Sequence, residues 1–344
     1  MTTTPRKFSI VCIPGDGIGV DITEAAVPSS RHALGHLRTF TFQFTTLDWS
    51  SKNYRQRGYY APEGGIEGLK KYDAIYFGAV GWAWFVHPSS TEITLHLHLP
   101  PADVPDHISL WQMILPIRTT LNQYANVRPT RILPGTVSPL SACAADPSAL
   151  DWVIVRENSE GEYSGHGGTT PSSAHAAHTV ATEVSIFTRV GIARIDAHDG
   201  DEEQRAAARH GPLDTVFYEV AREYDGRVAY DKMLVDAMTV RMVTRPQSLD
   251  TIVATNLHAD ILSDLAAALS GSIGIAPSSN LDPSRTYPAC SSRYMAAHRI
   301  SLGRASPSDR GVSGAPPRWL DGSPGLVMER DWARESMVGT LQIV

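Results

Sequence analysis

The stretch from Thr251 to Asn280, TIVATNLHADILSDLAAALSGSIGIAPSSN, constrains the fold more than any other in the chain. Thr251 to Ala254 is a short β-branched run of the kind that makes a buried strand, and from Leu257 onward apolar residues recur at helical spacing. A strand therefore hands over directly to a helix. On that helix Asp260 and Asp264 are four residues apart, which puts two carboxylates on one face about one turn from each other. Like charges repel in that arrangement unless a counter-charge sits between them. A divalent cation with oxygen ligands is one such counter-charge, and Mg²⁺ is commonly held by one or two carboxylates together with substrate. The same spacing also suits a solvated helix face carrying two unrelated acids.

The handover recurs along the chain. Phe8 to Ile13 reads as a strand, and Pro14-Gly15-Asp16-Gly17-Ile18-Gly19 as a glycine-rich turn into a helix beginning near Val20. Glycines let a backbone take positive φ and let a ligand approach closely, while a helix N-terminus favours anions. The turn is not the G-x-G-x-x-G fingerprint, and by itself it reads first as structural. Thr39 to Trp49 is a second strand, Ile66 to Lys71 a short helix, and Asp73 to Phe77 a third strand ending at Gly78. Alternating strands and helices predict an α/β fold with a mainly parallel sheet.

Further on, a helix-like segment carries Arg118, Asn126 and Arg128. Two arginines ten apart can converge from a helix and the strand after it, offering forked donors to carboxylate or phosphate. Asp151 to Val155 is a strand leading into Arg156, and Tyr163 follows in a glycine-bearing turn: an anion clamp with a phenol nearby, or an ordinary surface turn. Tyr230 to Met242 sets Asp236 among apolar residues, and a buried acid needs a partner, so Asp236 is a candidate ligand. His87, His96 and His98 lie in a segment where nothing else converges on them, which argues against a metal role. Asp196 to Arg209 is polar, with no apolar stripe, and beyond Pro288 no strand or long amphipathic helix can be read.

Composition narrows the function classes. A chain of 344 residues with 42% hydrophobic and 19% charged residues is ordinary for an enzyme of one large domain or two smaller ones. The net charge of -6 offers no basic patch for nucleic acid, and no apolar run is long enough to span a membrane. Three widely spaced cysteines suggest neither a disulfide framework nor a zinc cluster, and the N-terminus carries no signal core, so a reduced, cytoplasmic location is expected.

Five motifs in order, IPGDGIG, ANVRPT, DWVIVRENSEGEYSG, YDKMLVDAM and TNLHADILSDL, resemble the β-decarboxylating dehydrogenases, the group containing isocitrate and 3-isopropylmalate dehydrogenases. The forms VPDHISLW, QYANVRPT and RENSEGEYSG are most similar to the tartrate dehydrogenase/decarboxylase (D-malate) branch. The match covers most of residues 6–192 and 214–288. It implies an isopropylmalate dehydrogenase-like fold of two α/β domains with a parallel or mixed sheet. The expected boundaries are a cofactor-side domain from 1–125 plus 250–288 and a dimerising substrate domain from 126–249. The resemblance further implies that Arg118, Arg128 and Arg156 clamp substrate carboxylates and that Tyr163 protonates the enol left by CO₂. Asp260 and Asp264 would hold Mg²⁺ or Mn²⁺, joined by Asp236 from the partner of a homodimer. Ile13, Gly15 and Asn256 would serve NAD, and K⁺ is a further possible cofactor. The implied reaction is oxidation and decarboxylation of a small 2-hydroxy dicarboxylic acid. A 3-isopropylmalate dehydrogenase is the sibling reading, and a non-catalytic homodimer that binds metal and carboxylate is the reading of another class.

Three stretches depart from the family pattern. Residues 82–101 are an apparent insertion between GAVG and VPDH. The family's VTKSNAQRHGM segment, with its catalytic lysine, is replaced by DGDEEQRAAARHGPL at 199–213. Permitted codons for that stretch, read one base later, restore V-T-K-S-N-A-Q-R-H-G-M. After Pro288 another frame likewise yields the family's G-M-F-E-P-V-H-G segment, so residues 289–344 read as an aberrant tail. The expectation is a frame-shifted or mis-spliced version of a functional gene, with impaired activity.

Overall fold

The structure, a computed structural model, describes residues 6–37, 40–81, 104–171, 179–196, 212–223, 229–273, 276–293 and 340–343. The insertion at 82–101, the polar stretch at 197–211 and most of the tail lie outside the described residues. In chain order the elements are β1 Arg6–Gly15, α1 Ile18–Leu37, β2 Phe40–Thr46, α2 Ser51–Arg57, β3 Ala74–Ala79, α3 Asp106–Ser109 and α4 Leu115–Thr120. Then follow β4 Ala125–Arg131, α5 Ser141–Ala145, β5 Asp151–Glu157, β6 Gly161–Pro171, β7 Thr179–Ile186, α6 Arg189–Asp196 and α7 Pro212–Glu223. The last are β8 Ala229–Lys232, α8 Val235–Thr244, β9 Thr251–Ala254, α9 Asn256–Leu269, β10 Pro277–Leu281, β11 Ala289–Arg293 and β12 Thr340–Ile343.

The chain divides into two compact units. In the first, formed by described residues up to Asn122 and from Pro277 to Arg293, the strand order is β2-β1-β3-β11-β10. β1 pairs parallel with β2 and β3, β11 runs parallel to β3, and β10 closes the set antiparallel to β11. Val11, Ile13, Trp49, Leu69, Ile75, Met113 and Leu121 make its core. The PGDGIG turn joins β1 to α1 by close backbone packing. A Cβ on Gly15, whose φ is +72, would lie 1.9 Å from the Ala79 carbonyl oxygen, and one on Gly78 would lie 2.2 Å from the Pro14 carbonyl oxygen. Asp16 is buried there. Its carboxylate accepts from the Ser51 N–H at 2.8 Å, the Ser51 hydroxyl at 2.6 Å and the Gly81 N–H at 3.1 Å, which pins the turn to α2 and to the end of β3.

The second unit runs from Gln123 to Ala276 and includes β12, with strand order β4-β5-β9-β12-β8. β5 is antiparallel to β4 and parallel to β9, and β12 is parallel to both β9 and β8. Trp152 and Ile154 alternate inward on β5 and meet Ala259, Leu262, Ala266 and Leu269, the helical stripe of α9. The alanines in that stripe let α9 approach the strands closely. β6 and β7 form a separate antiparallel pair.

Three expectations are corrected. Residues 250–276 belong to the second unit rather than the first, because β9 pairs with β5 and α9 packs on the same strand. The chain after Pro288 is not without strands: β11 lies between β3 and β10, and β12 between β9 and β8. Tyr163 lies on β6 rather than in a turn, within a stretch of shifted register between Gly161 and His166.

Candidate active site

β5 and β9 run parallel and end side by side, with Arg156 opposite Ala254, and α9 begins two residues later. Sites in α/β sheets form at such carboxyl ends of strands. On β4, Asn126 stands directly opposite Arg156, and Arg128, two residues along, points to the same face. Trp152, Ile154 and Arg156 also share one face by alternation. That face is therefore apolar along its length and cationic at its end.

Above it runs one stripe of α9. Asn256, Asp260 and Ser263 recur at helical spacing, with Asp264 beside them. Asp260 Oδ1 accepts from Arg128 Nη2 at 3.2 Å and from Arg156 Nη1 in a short contact. The two arginine side chains are only 8% and 4% exposed, whereas that of Asp260 is 34% exposed. Each guanidinium is held by further partners. Arg128 Nε donates to Asn126 Oδ1 at 2.6 Å and its Nη1 to Ser263 Oγ, while Arg156 Nε donates to Asn256 Oδ1 at 2.8 Å. The Tyr163 hydroxyl donates to Asp260 Oδ2 at 3.5 Å, and the Arg156 guanidinium lies 5.7 Å from the centre of the Tyr163 ring.

Burial lowers the pKa of Arg128, against the opposing pull of Asp260 and Asp264. Burial also lowers that of Arg156, helped by the like charge of Arg128 and opposed by Asp260 and Tyr163. Two desolvated cations beside one shared carboxylate form a ready receptor for a further anion.

The structure thus brings together Arg128, Arg156, Tyr163 and Asp260, with Asp264 in the field of Arg128. Asp236 is corrected: it is exposed, not buried, and its Oδ1 accepts from the N–H of Ala237 at 2.8 Å. α8 turns Met238 and Met242 inward and Asp236 outward. Arg118 sits in the last turn of α4, in the first unit, as do Ile13 and Gly15. Asn126 and Ser263 were missed as functional residues. Asn126 carries a usable signal, two residues before Arg128 on a strand, and so does Ser263, three after Asp260 on a helix.

The donor set suits a hard divalent cation, since Asp260 and Asp264 offer carboxylate oxygens from one helix face. Among the described residues no group of three His, Cys, Asp or Glu side chains is placed to hold a metal within one chain. In the first unit, Ile13 is fully buried and Gly15 is closed against Ala79, so neither offers a side chain to a cofactor. Gly17 differs: its φ is +51 and an added Cβ would meet nothing within 4 Å, leaving backbone open to a ligand.

The chain is 48% identical over 298 residues to a "Probable tartrate dehydrogenase/decarboxylase" of Agrobacterium vitis, covering 83% of this chain and 76% of that one. It is 37% identical over 298 residues to the D-malate dehydrogenase [decarboxylating] of Escherichia coli K12, again covering 83% and 76%. The isocitrate dehydrogenase from Methylococcus capsulatus has a similar solved structure, with a TM-score of 0.60, 26% identity and coverage of 85% of this chain and 77% of that one. The family described as isocitrate/isopropylmalate dehydrogenase matches residues 9–199 and 204–296. By that match and those relatives, this chain belongs to the isocitrate/isopropylmalate dehydrogenase family, whose members are oxidoreductases.

Proposed function

We propose that this chain is built for the NAD- and divalent-metal-dependent oxidation and decarboxylation of tartrate or D-malate. The observation that carries the reading is the convergence of buried Arg128 and Arg156 on one oxygen of Asp260, with the Tyr163 hydroxyl on the other. A small dicarboxylate offers Arg128 and Arg156 the same chemistry as Asp260 does and would take over their donors. When bound, NAD⁺ would accept the hydride, and Mg²⁺ or Mn²⁺ on Asp260 and Asp264 would polarise the carbonyl so formed. The Tyr163 hydroxyl, which donates to Asp260 Oδ2 beside the clamp, would deliver its proton to the carbon that loses CO₂.

Asp236 of the partner subunit would complete the cation's ligands. Its exposure on α8, beside Leu234, Val240 and Val243, which are 69%, 60% and 45% exposed, supports a homodimer. Three buried cysteines that form no disulfide support a cytoplasmic location, and among the described residues no helix is long and apolar enough to cross a membrane.

The written sequence has no lysine between residues 199 and 213, so the hydroxyl proton lacks the family's base. Loss of a general base costs roughly 10²- to 10⁴-fold in rate, and activity of the chain as written would be impaired by about that factor. The same gap supports a second reading, a homodimer that binds metal and carboxylate without turnover. The test is NADH absorbance with Mn²⁺, K⁺, NAD⁺ and D-malate or tartrate. The expected result is feeble turnover, restored when residues 199–213 and 289–344 take the family-frame sequence. Restoration with 3-isopropylmalate alone would move the substrate to the sibling enzyme. Metal binding without NAD⁺ binding in the restored chain would favour the non-catalytic reading.

A further inference from the structure

The side-chain amide of Asn256 is 0% exposed and is used in two directions at once. Its Oδ1 accepts from Arg156 Nε at 2.8 Å, and its Nδ2 donates to the Glu160 carbonyl oxygen at 2.9 Å. Asn256 is also the first residue of α9, the helix that carries Asp260 and Asp264. One carboxamide therefore joins three parts of the site: the end of β5, the 157–161 segment leading to Tyr163, and the carboxylate helix.

We propose that Asn256 is a positioning residue for Arg156 and for the segment that delivers Tyr163, and not a residue that contacts a dinucleotide. The physical ground is the geometry of the guanidinium. Its five donors lie in one plane, so an acceptor fixed at Nε sets the direction in which both Nη groups face. With Nε held by Asn256, Nη1 faces Asp260, where a substrate carboxylate would compete for it. A long side chain otherwise loses rotamer freedom when it binds a ligand, and holding it in advance removes part of that loss. The second arm acts on the following segment. Glu160 meets Asn256 through its carbonyl, while its carboxylate accepts from the Thr188 N–H at 2.7 Å and the Thr188 hydroxyl at 2.6 Å, next to the start of α6. Gly161 follows with φ +79, and its Cβ position lies 3.6 Å from that of Asn256. The segment bearing Tyr163 thus leaves from a point clamped on both sides. Only a carboxamide of this length supplies an acceptor and a donor together: aspartate keeps the first and loses the second, and alanine loses both.

The inference rests on the proposed dicarboxylate site for one of its two readouts only. The first readout is the exchange of the Arg156 Nε–H proton with water, followed by NMR in the full chain and assigned by its loss in Arg156→Lys. Slow exchange is expected in the wild type and in Asn256→Asp, which retains the acceptor. Exchange at least roughly tenfold faster is expected in Asn256→Ala. The second is binding of D-malate or tartrate with Mn²⁺, expected to weaken roughly tenfold to hundredfold in Asn256→Ala while NAD⁺ affinity holds. Unchanged Arg156 protection in Asn256→Ala would overturn the proposal, and so would a loss of NAD⁺ affinity with dicarboxylate affinity intact. A wild type that binds no dicarboxylate would sink the functional reading instead, and the exchange measurement would still decide the role of Asn256.

Discussion

Replacing Asp260 by Asn isolates the charge on which the site depends. The amide keeps the shape and one acceptor oxygen, so the contacts of Arg128 and Arg156 persist as hydrogen bonds to a neutral acceptor. What disappears is the counter-charge between two guanidiniums that are 8% and 4% exposed, where burial and the like charge of Arg128 already disfavour protonation of Arg156. Breaking a fully buried ion pair on one side costs about 3–5 kcal/mol. Here the figure must be discounted, because the Asp260 side chain is 34% exposed, so water screens it. Asp264 also remains in the field of Arg128. The expected loss is therefore about 1–3 kcal/mol, or roughly 3–10 °C in the melting temperature of a unit of this size. Thermal unfolding followed by circular dichroism, with and without millimolar sulfate, reads the effect. Sulfate should stabilise Asp260→Asn more than the wild type, since the variant offers two cations with no carboxylate in place. A melting temperature within about 1 °C of the wild type would refute the reasoning, as would equal stabilisation of both proteins by sulfate.

The glycine turn gives a paired test. Gly15→Ala forces a Cβ to within 1.9 Å of the Ala79 carbonyl oxygen at a φ of +72 and should cost about 3 kcal/mol or more, whereas Gly17→Ala, at φ +51 in open space, should cost about 1 kcal/mol. Equal shifts of the two denaturation midpoints would contradict the packing described. All three cysteines are buried, and burial raises the Cys290 thiol to about 12, so the native chain should react slowly with a thiol reagent in mild alkali and release three equivalents on denaturation. Fast labelling before unfolding would show the packing around β11 to be wrong. Asp151 keeps much of its surface in water, yet partial desolvation holds its carboxyl above the ordinary range, opposed by Arg131 and helped by Asp250. A raised acid means the folded chain binds more protons between the two pKa values, so the group costs stability in full above its folded pKa and nothing below the unfolded one. Asp151→Asn should therefore raise the denaturation midpoint modestly at neutral pH and lose that gain in acid, and a gain independent of pH would count against this account.

What could be read in advance from residues 251–269 was the part settled by neighbours in the chain. A β-branched run followed by a period of 3.6 needs no distant partner to be recognised, and β9 and α9 lie where that pattern puts them. Asp236 shows how the same kind of pattern misleads when hydropathy is averaged. The run around it is apolar, yet Met238 and Met242 are four apart and fully buried, and a residue two before Met238 lies on the opposite side of the helix. Helical phase, and not the apolar neighbourhood, puts Asp236 in solvent. β11 fails in the other direction. Ala289, Cys290 and Ser291 have little strand propensity, and their conformation is imposed by β3 on one side and β10 on the other. The site follows the same division. Arg156 at the end of an apolar strand was visible, but Asn126 acquires its role only because the antiparallel register sets it opposite Arg156 and two residues before Arg128. Ser263 acquires its role only because α9 lies over that face. Polar residues that hold other functional residues in place are specified by register and packing between distant segments, which is why Asn256 reads from sequence as a ligand-binding residue and in the fold as the support of Arg156.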